Sequence, residues 1–213
     1  MIKEEKSKNE IKAIVFDIGG VLLKEQGSEL RKYLAKRYDF DSKKFSEFWM
    51  KNLTKSYTGR MHYKDFFKQL IKKLRINTHS EDLIDSWIKI RGKTSKLDKE
   101  VEKIIKALRK KYVVGCLTNT TRLNDKVKIR KEVYSLFDVK VTSLNARSKK
   151  PQLKIYKLLA KKLNKNKISL KETVFIDNEK RNLLPARKRG MKTILFKNNK
   201  QLIKDLKNLG VKI

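Results

Sequence analysis

The chain has a single cysteine, Cys116, in 213 residues, so neither an internal disulfide nor a cysteine-based zinc site can form within it. Cys116 lies inside the apolar run Val113-Val114-Gly115-Cys116-Leu117, where a thiol serves as a small buried hydrophobe. Histidine is nearly as scarce. His62 and His79 have no partner at metal-ligand spacing, and both read as surface or helix-start residues. No apolar stretch approaches the roughly 18 residues needed to cross a bilayer. The first ten residues form a polar lead-in without the apolar segment of a signal peptide. A cytoplasmic protein with no membrane partner is expected. Acidic residues are the other shortage: 23 Asp and Glu face 56 Lys and Arg, for a formal charge of +33. That excess is spread along the chain rather than gathered into a tail, so it reads first as a solvated surface. A nucleic-acid partner is the sharper alternative, and nonspecific binding to polyanions at low salt follows either way.

What is present suits a packed α/β protein. Hydrophobic residues make up 39% of the chain, including seven Tyr, nine Phe and two Trp. Short β-forming runs at about 12–17, 112–117, 138–142, 173–177 and 192–196 predict strands. Amphipathic stretches separate the last four, for example Leu153, Ile155, Tyr156, Leu158, Leu159 and Leu163 at helical spacing. Pro151 fits the first turn of that helix. Gly190 closes the next, after an apolar face of Leu183, Leu184 and Ala186. Asn198 to Leu209 predicts a last helix with Gly210 past its end. This alternation is the pattern of a Rossmann-like, doubly wound parallel sheet. Residues 24–97 break it. They carry no strand signal and predict four amphipathic helices punctuated at Asp39-Phe40-Asp41, Thr58-Gly59-Arg60 and Asn77-Thr78-His79-Ser80. An all-helical insert after the first strand reads as a cap over the strand ends. The division expected is a core of 11–23 plus 98–213, a cap of 24–97 and a lead-in of 1–10.

Polar residues end three of the apolar runs. Asp17 follows Ile14-Val15-Phe16 and precedes Gly19-Gly20; Thr118-Asn119 follows Cys116-Leu117; Asp177-Asn178 follows Val174-Phe175-Ile176. Taken singly, each also fits ordinary turn or helix-cap chemistry. Together they fall on the carboxyl side of parallel strands, where open α/β sheets gather their ligand sites. Lys150, in Lys149-Lys150-Pro151, follows the strand ending near Ser143. Gly19-Gly20 is no dinucleotide fingerprint, since the third glycine and the immediate helix are missing.

In this order and spacing, the residues resemble the haloacid dehalogenase-like hydrolases, most closely the helical-capped branch that includes sugar-1-phosphate phosphatases. The resemblance runs from residue 11 to about 197, and Lys150-Pro151 before Ile155-Tyr156 matches the family's third motif. It implies a magnesium-dependent phosphatase of a small phosphorylated metabolite, acting through an aspartyl-phosphate. Asp17 would be the nucleophile, with Thr118 and Lys150 as catalytic partners. Gly20, Asn119 and Asn182 would contact substrate, and Asp17, Gly19, Asp177 and Asn178 would surround Mg2+. The alternative is a catalytically weakened member binding nucleic acid or another polyanion. In the cap, Trp49, Tyr57, Arg60 and His62 are candidates for lining the entrance, although Trp49 also suits core packing.

The resemblance has two departures. Gly19 stands where relatives commonly have a second Asp that protonates the leaving oxygen. Loss of such a group typically costs on the order of 10²- to 10⁴-fold in rate, least for acyl and sugar-1-phosphates, whose leaving groups are good. Asn178 replaces the second residue of the usual Asp-Asp pair, and its neutral amide oxygen binds magnesium more weakly than a carboxylate. Reduced activity is the expectation.

Overall fold

The computed structural model describes residues 10–24 and 27–213. It opens with β1 (Ala13–Phe16) and a two-residue β2 (Leu23–Lys24). Four helices follow, α1 (Gly27–Arg37), α2 (Ser42–Tyr57), α3 (Tyr63–Leu74) and α4 (Ser80–Thr94), and then β3 (Lys96–Leu97). The chain then alternates through α5 (Lys99–Leu108), β4 (Val113–Thr118), α6 (Arg122–Arg130), β5 (Val139–Thr142), one-turn α7 (Ser143–Ala146) and α8 (Leu153–Asn164). It ends with β6 (Thr173–Asp177), α9 (Lys180–Arg187), β7 (Lys192–Leu195) and α10 (Asn199–Asn208).

Five parallel strands form one sheet in the order β5-β4-β1-β6-β7, which puts β1 at its centre. All five lie within one residue, at each end, of where the apolar runs predict them. Alternation along each strand divides the core in two. Ile14, Phe16, Val114, Cys116, Val174 and Ile176 pack on one face with α5 and α10. Val15, Leu117, Val141 and Phe175 pack on the other with α8 and α9. Burial on both faces explains why these strands read as unbroken apolar runs. It also pushes the Cys116 thiol up to about 12, leaving it un-ionised at neutral pH. At the amino end of β1, Lys12 and Glu172 form an ion pair at 2.6 Å.

The four helices between β2 and β3 enclose an apolar cluster of their own, centred on Leu30, Leu34, Phe45, Phe67, Leu70 and Trp87. Trp49 belongs there too: its ring stacks on Trp87 at 4.9 Å. Leu123, from α6 of the core, completes this cluster and so fixes where the cap sits. Asp41 caps α2 by accepting from the Lys43 and Lys44 amides.

Three expectations need correction. Residues 24–97 are not wholly without strand, because Leu23–Lys24 pairs antiparallel with Lys96–Leu97 at the neck of the insert. Two residues on each side are too few to show an alternating pattern. Pro151 is not in the first turn of α8: it precedes the N-cap Gln152, and the Lys150–Pro151 peptide is cis. Leu184 is not on the buried face of α9; it is 53% exposed, while Leu183 and Ala186 are buried.

Candidate active site

Asp17, Thr118 and Asp177 meet at the carboxyl rim because β1, β4 and β6 are adjacent strands of one parallel sheet. The Asp17 amide still bonds to the Ile176 carbonyl, so the sheet ladder holds the backbone of Asp17 in place. After it the chain turns tightly: the Val21, Leu22 and Leu23 amides all donate to the Ile18 carbonyl, and the Gly20 amide donates to Leu23. Gly20 takes a φ of +81°, which favours glycine.

Lys150 joins the two carboxylates. Its Nζ lies 2.9 Å from Asp17 Oδ1 and 2.7 Å from Asp177 Oδ2, and all three side chains are nearly or fully removed from water. Burial works against the Lys150 ammonium, but the neighbouring Asp17 and Asp177 carboxylates outweigh it and hold its pKa above the ordinary lysine value. Burial also pushes the Asp177 carboxyl upward, reinforced by Asp17 and opposed by Lys150. One ammonium between two carboxylates leaves the trio at a formal −1. That sum alone repels a phosphate dianion, whereas one added divalent cation makes it +1 and reverses the sign.

The expected substrate-binding residues have different surroundings. Asn119 faces the backbone of Lys150: its Nδ2 donates to the Lys150 carbonyl at 3.2 Å, and its Oδ1 accepts from the Lys150 amide at 2.8 Å. Asn182 is buried and donates to both oxygens of Asp177 at 3.1 Å, so it lies beneath the crevice rather than on its wall. Its backbone carbonyl accepts from the buried Tyr156 hydroxyl at 2.6 Å. Asp177, expected near a metal, is fully buried. Its Oδ1 also takes the Glu179 amide at 2.7 Å, and its Oδ2 takes Lys150, so both oxygens are already engaged.

Among the described residues, no group of three or more His, Cys, Asp or Glu side chains gathers as a cation site. The oxygen donors at the rim are Asp17, the exposed Asn178 amide, and Gly19, which has only its backbone carbonyl to offer. A Cβ on Gly20 would stand 2.5 Å from Asn178 Nδ2 and 2.8 Å from its Cγ, so the bare glycine is the cradle that lets Asn178 reach the Asp17 turn. An all-oxygen set with one carboxylate fits a hard cation such as magnesium, which keeps several waters and needs few protein ligands.

A family model for haloacid dehalogenase-like hydrolases matches residues 11–190. The chain belongs to the haloacid dehalogenase-like hydrolases. No curated protein sequence matches it. Among solved structures, it is similar to an HAD family enzyme from Bacteroides thetaiotaomicron, with TM-score 0.76 and 21% identity over 88% of this chain and 94% of that one. The same enzyme in complex with magnesium and inorganic phosphate aligns with TM-score 0.74 and 22% identity, with the same coverage. The "predicted HAD-like family hydrolase" of Porphyromonas gingivalis aligns with TM-score 0.75 and 20% identity, over 95% of this chain and 99% of that one.

In this haloacid dehalogenase-like hydrolase, one buried cation near the crevice escapes sequence reading. Lys128 of α6 is 2% exposed, and its Nζ lies 3.4 Å from Thr118 Oγ1, one strand away from Asp17. Thr118 is itself buried and follows Leu117 at the end of β4. The Thr120 amide donates to Ser143 Oγ at 3.0 Å, and Ser143 Oγ donates to the Thr120 carbonyl at 3.1 Å, which ties the loop after β4 to the start of α7. Of the expected entrance residues, Trp49 is in the cap core and His62 caps α3 by accepting from the Lys64 amide. Tyr57 is half-buried at the end of α2. Arg60 lines a cavity of about 730 Å³ between the cap loop Thr58–Arg60 and the core.

Proposed function

We propose that this hydrolase is a magnesium-dependent phosphatase of a small phosphorylated metabolite, with Asp17 as nucleophile. The observation that carries this reading is the buried Lys150, which touches Asp17 while Asp177 and Asn119 hold its side chain and backbone. A fixed ammonium beside a nucleophilic carboxylate serves phosphoryl transfer, where catalysis is mostly positioning and charge stabilisation.

Asp17 Oδ1 holds the Ile18 amide at 2.7 Å as well as Lys150, so Oδ2 is assigned the attack. The Oδ2–phosphorus bond forms as the bond to the leaving oxygen breaks, and that oxygen takes its proton from water because Gly19 has none to give. Water then attacks the aspartyl-phosphate, releasing inorganic phosphate and restoring Asp17. Lys150 stabilises the transferring oxygens in both steps, Thr118 donates its hydroxyl hydrogen to one of them, and Asp177 keeps Lys150 aligned. Asp17, the Gly19 carbonyl and Asn178 would hold Mg2+. When bound, that ion offsets the negative charge that otherwise keeps phosphate and Asp17 apart. The relative crystallised with magnesium and inorganic phosphate supports the choice of cation and of substrate chemistry.

The test is phosphate release from sugar-1-phosphates and acyl phosphates with and without added magnesium. Magnesium-dependent release that disappears in a folded Asp17→Asn variant is the expected result. Release that survives this substitution excludes Asp17 as the nucleophile. The formal charge of +33 favours a second reading, a polyanion-binding role without turnover. It predicts salt-sensitive binding of nucleic acid that Asp17→Asn leaves intact.

A further inference from the structure

The cavity of about 730 Å³ beside the crevice has a charge pattern that the reaction at Asp17 does not use. Arg60 reaches it from the cap, and Arg122, Lys140 and Arg147 reach it from the core. All four side chains are exposed, and none forms an ion pair with an acid among the described residues. The one acid on the wall, Asp125, accepts a hydrogen bond from the Tyr134 hydroxyl. Four cations against one acid leave the wall at a formal +3.

Its position relative to Asp17 follows from the sheet. Thr142 lines the cavity and pairs in register with Thr118, on the strand next to β1. Two strand spacings of about 4.8 Å put the backbone of Thr142, at the near wall, about 10 Å from that of Asp17. The cap closes over this side: a Cβ on Gly59 would lie 3.7 Å from Leu144 Cδ2 and 3.8 Å from Arg122 Nη2. A substrate whose phosphate sits at Asp17 and whose body extends under Arg60 therefore brings its far end among four cations.

We propose that the cavity is a subsite for a second anionic group, so that the preferred substrate is a small metabolite carrying two phosphates, or a phosphate and a carboxylate, at opposite ends. This rests on the phosphatase reading for the reacting end alone. Arginine suits the role because its planar fork binds phosphate and carboxylate oxygens in pairs.

Calorimetric titration of the Asp17→Asn protein, with magnesium and at physiological salt, compares glucose 1,6-bisphosphate with glucose 1-phosphate. The expected result is tighter binding of the bisphosphate by about tenfold or more, the scale of one charge-assisted contact. Adding Arg122→Met and Arg147→Met should bring the ratio toward one, while Arg122→Lys with Arg147→Lys should keep most of it. Equal affinities, or a preference that the methionine pair leaves unchanged, overturns the subsite. A 5′-phosphorylated oligonucleotide that binds more tightly than the bisphosphate, and loses this in the methionine pair, also overturns it by assigning the wall to nucleic acid. Phosphate release from glucose 1-phosphate by the unsubstituted protein is measured separately. Its absence counts against the phosphatase reading and leaves the binding comparison to decide the subsite.

Discussion

Asp177 holds Lys150 with its Oδ2 at 2.7 Å from Nζ, and neither side chain has meaningful contact with water. The other oxygen of Asp177 binds the Glu179 amide, so this carboxylate links β6 to the start of α9 as well as to Lys150. The two acids of the trio therefore differ in kind. Asp177→Asn should destabilise the fold by about 3 kcal/mol, because it removes one partner of a buried, hydrogen-bonded ion pair. Asp17→Asn also takes a carboxylate from Lys150, but it keeps that pair and brings the trio's formal charge from −1 to 0, so it should cost less, about 1 kcal/mol, while removing the proposed nucleophile. Urea unfolding of the two variants checks the order, and equal losses would contradict it.

Gly20 and Asn178 are matched in the same local way. Gly20→Ala places a methyl group 2.5 Å from Asn178 Nδ2 at a φ of +81°. The backbone strain alone costs about 1 kcal/mol, and Asn178 must move away from the Asp17 turn. Weaker magnesium binding together with reduced stability is expected, read by magnesium titration and thermal unfolding. Unchanged magnesium affinity in a folded Gly20→Ala protein would remove Asn178 from the metal shell.

On the proposed mechanism, Gly19 makes the reaction depend on its leaving group. Gly19→Asp should raise turnover of alkyl phosphate esters by about 10²-fold, the usual worth of a placed proton donor. Acyl phosphates, which leave without protonation, should gain little. Parallel initial-rate measurements on the two substrate classes decide it: an equal change in both would mean that the new carboxyl acts by some other route than proton transfer.

How much of this was legible beforehand depends on burial and charge. The central strands were readable because both faces are covered, which turns them into apolar runs. Asp17 stood out because a carboxylate ended such a run. Lys150 was readable only through the motif around it, as one cation among 56 basic residues. Lys128 was not readable at all: its place beside buried Val127 differs in no visible way from that of other lysines following an apolar residue. Asn119 and Asn182 were noticed for their location, but their hydrogen-bond partners within the protein were not visible. Whether an amide faces ligand or backbone is set by contacts made across 31 residues for Asn119 and five for Asn182.

Acid stability offers a test away from the crevice. Glu172 accepts from Lys12 and from both the amide and hydroxyl of Ser169, which lowers its pKa from 4.5 to about 2. A depressed carboxylate contributes stability that is present above its unfolded value and is lost as pH falls toward the folded one. Between pH 4.5 and about 2, stability should fall more steeply in the unsubstituted protein than in Glu172→Gln. Denaturant titrations across that range measure the slopes, and identical slopes would show that the ion pair does not couple to folding.

The antiparallel pairing of Leu23–Lys24 with Lys96–Leu97 means that the polypeptide leaves the sheet and comes back through the same narrow gate. Everything between those dipeptides is spliced in at one point, so its length can change without rethreading a single strand. A relative with a different bundle, or a tight turn, at this neck would keep the same crevice underneath, with Leu123 left to find new cover.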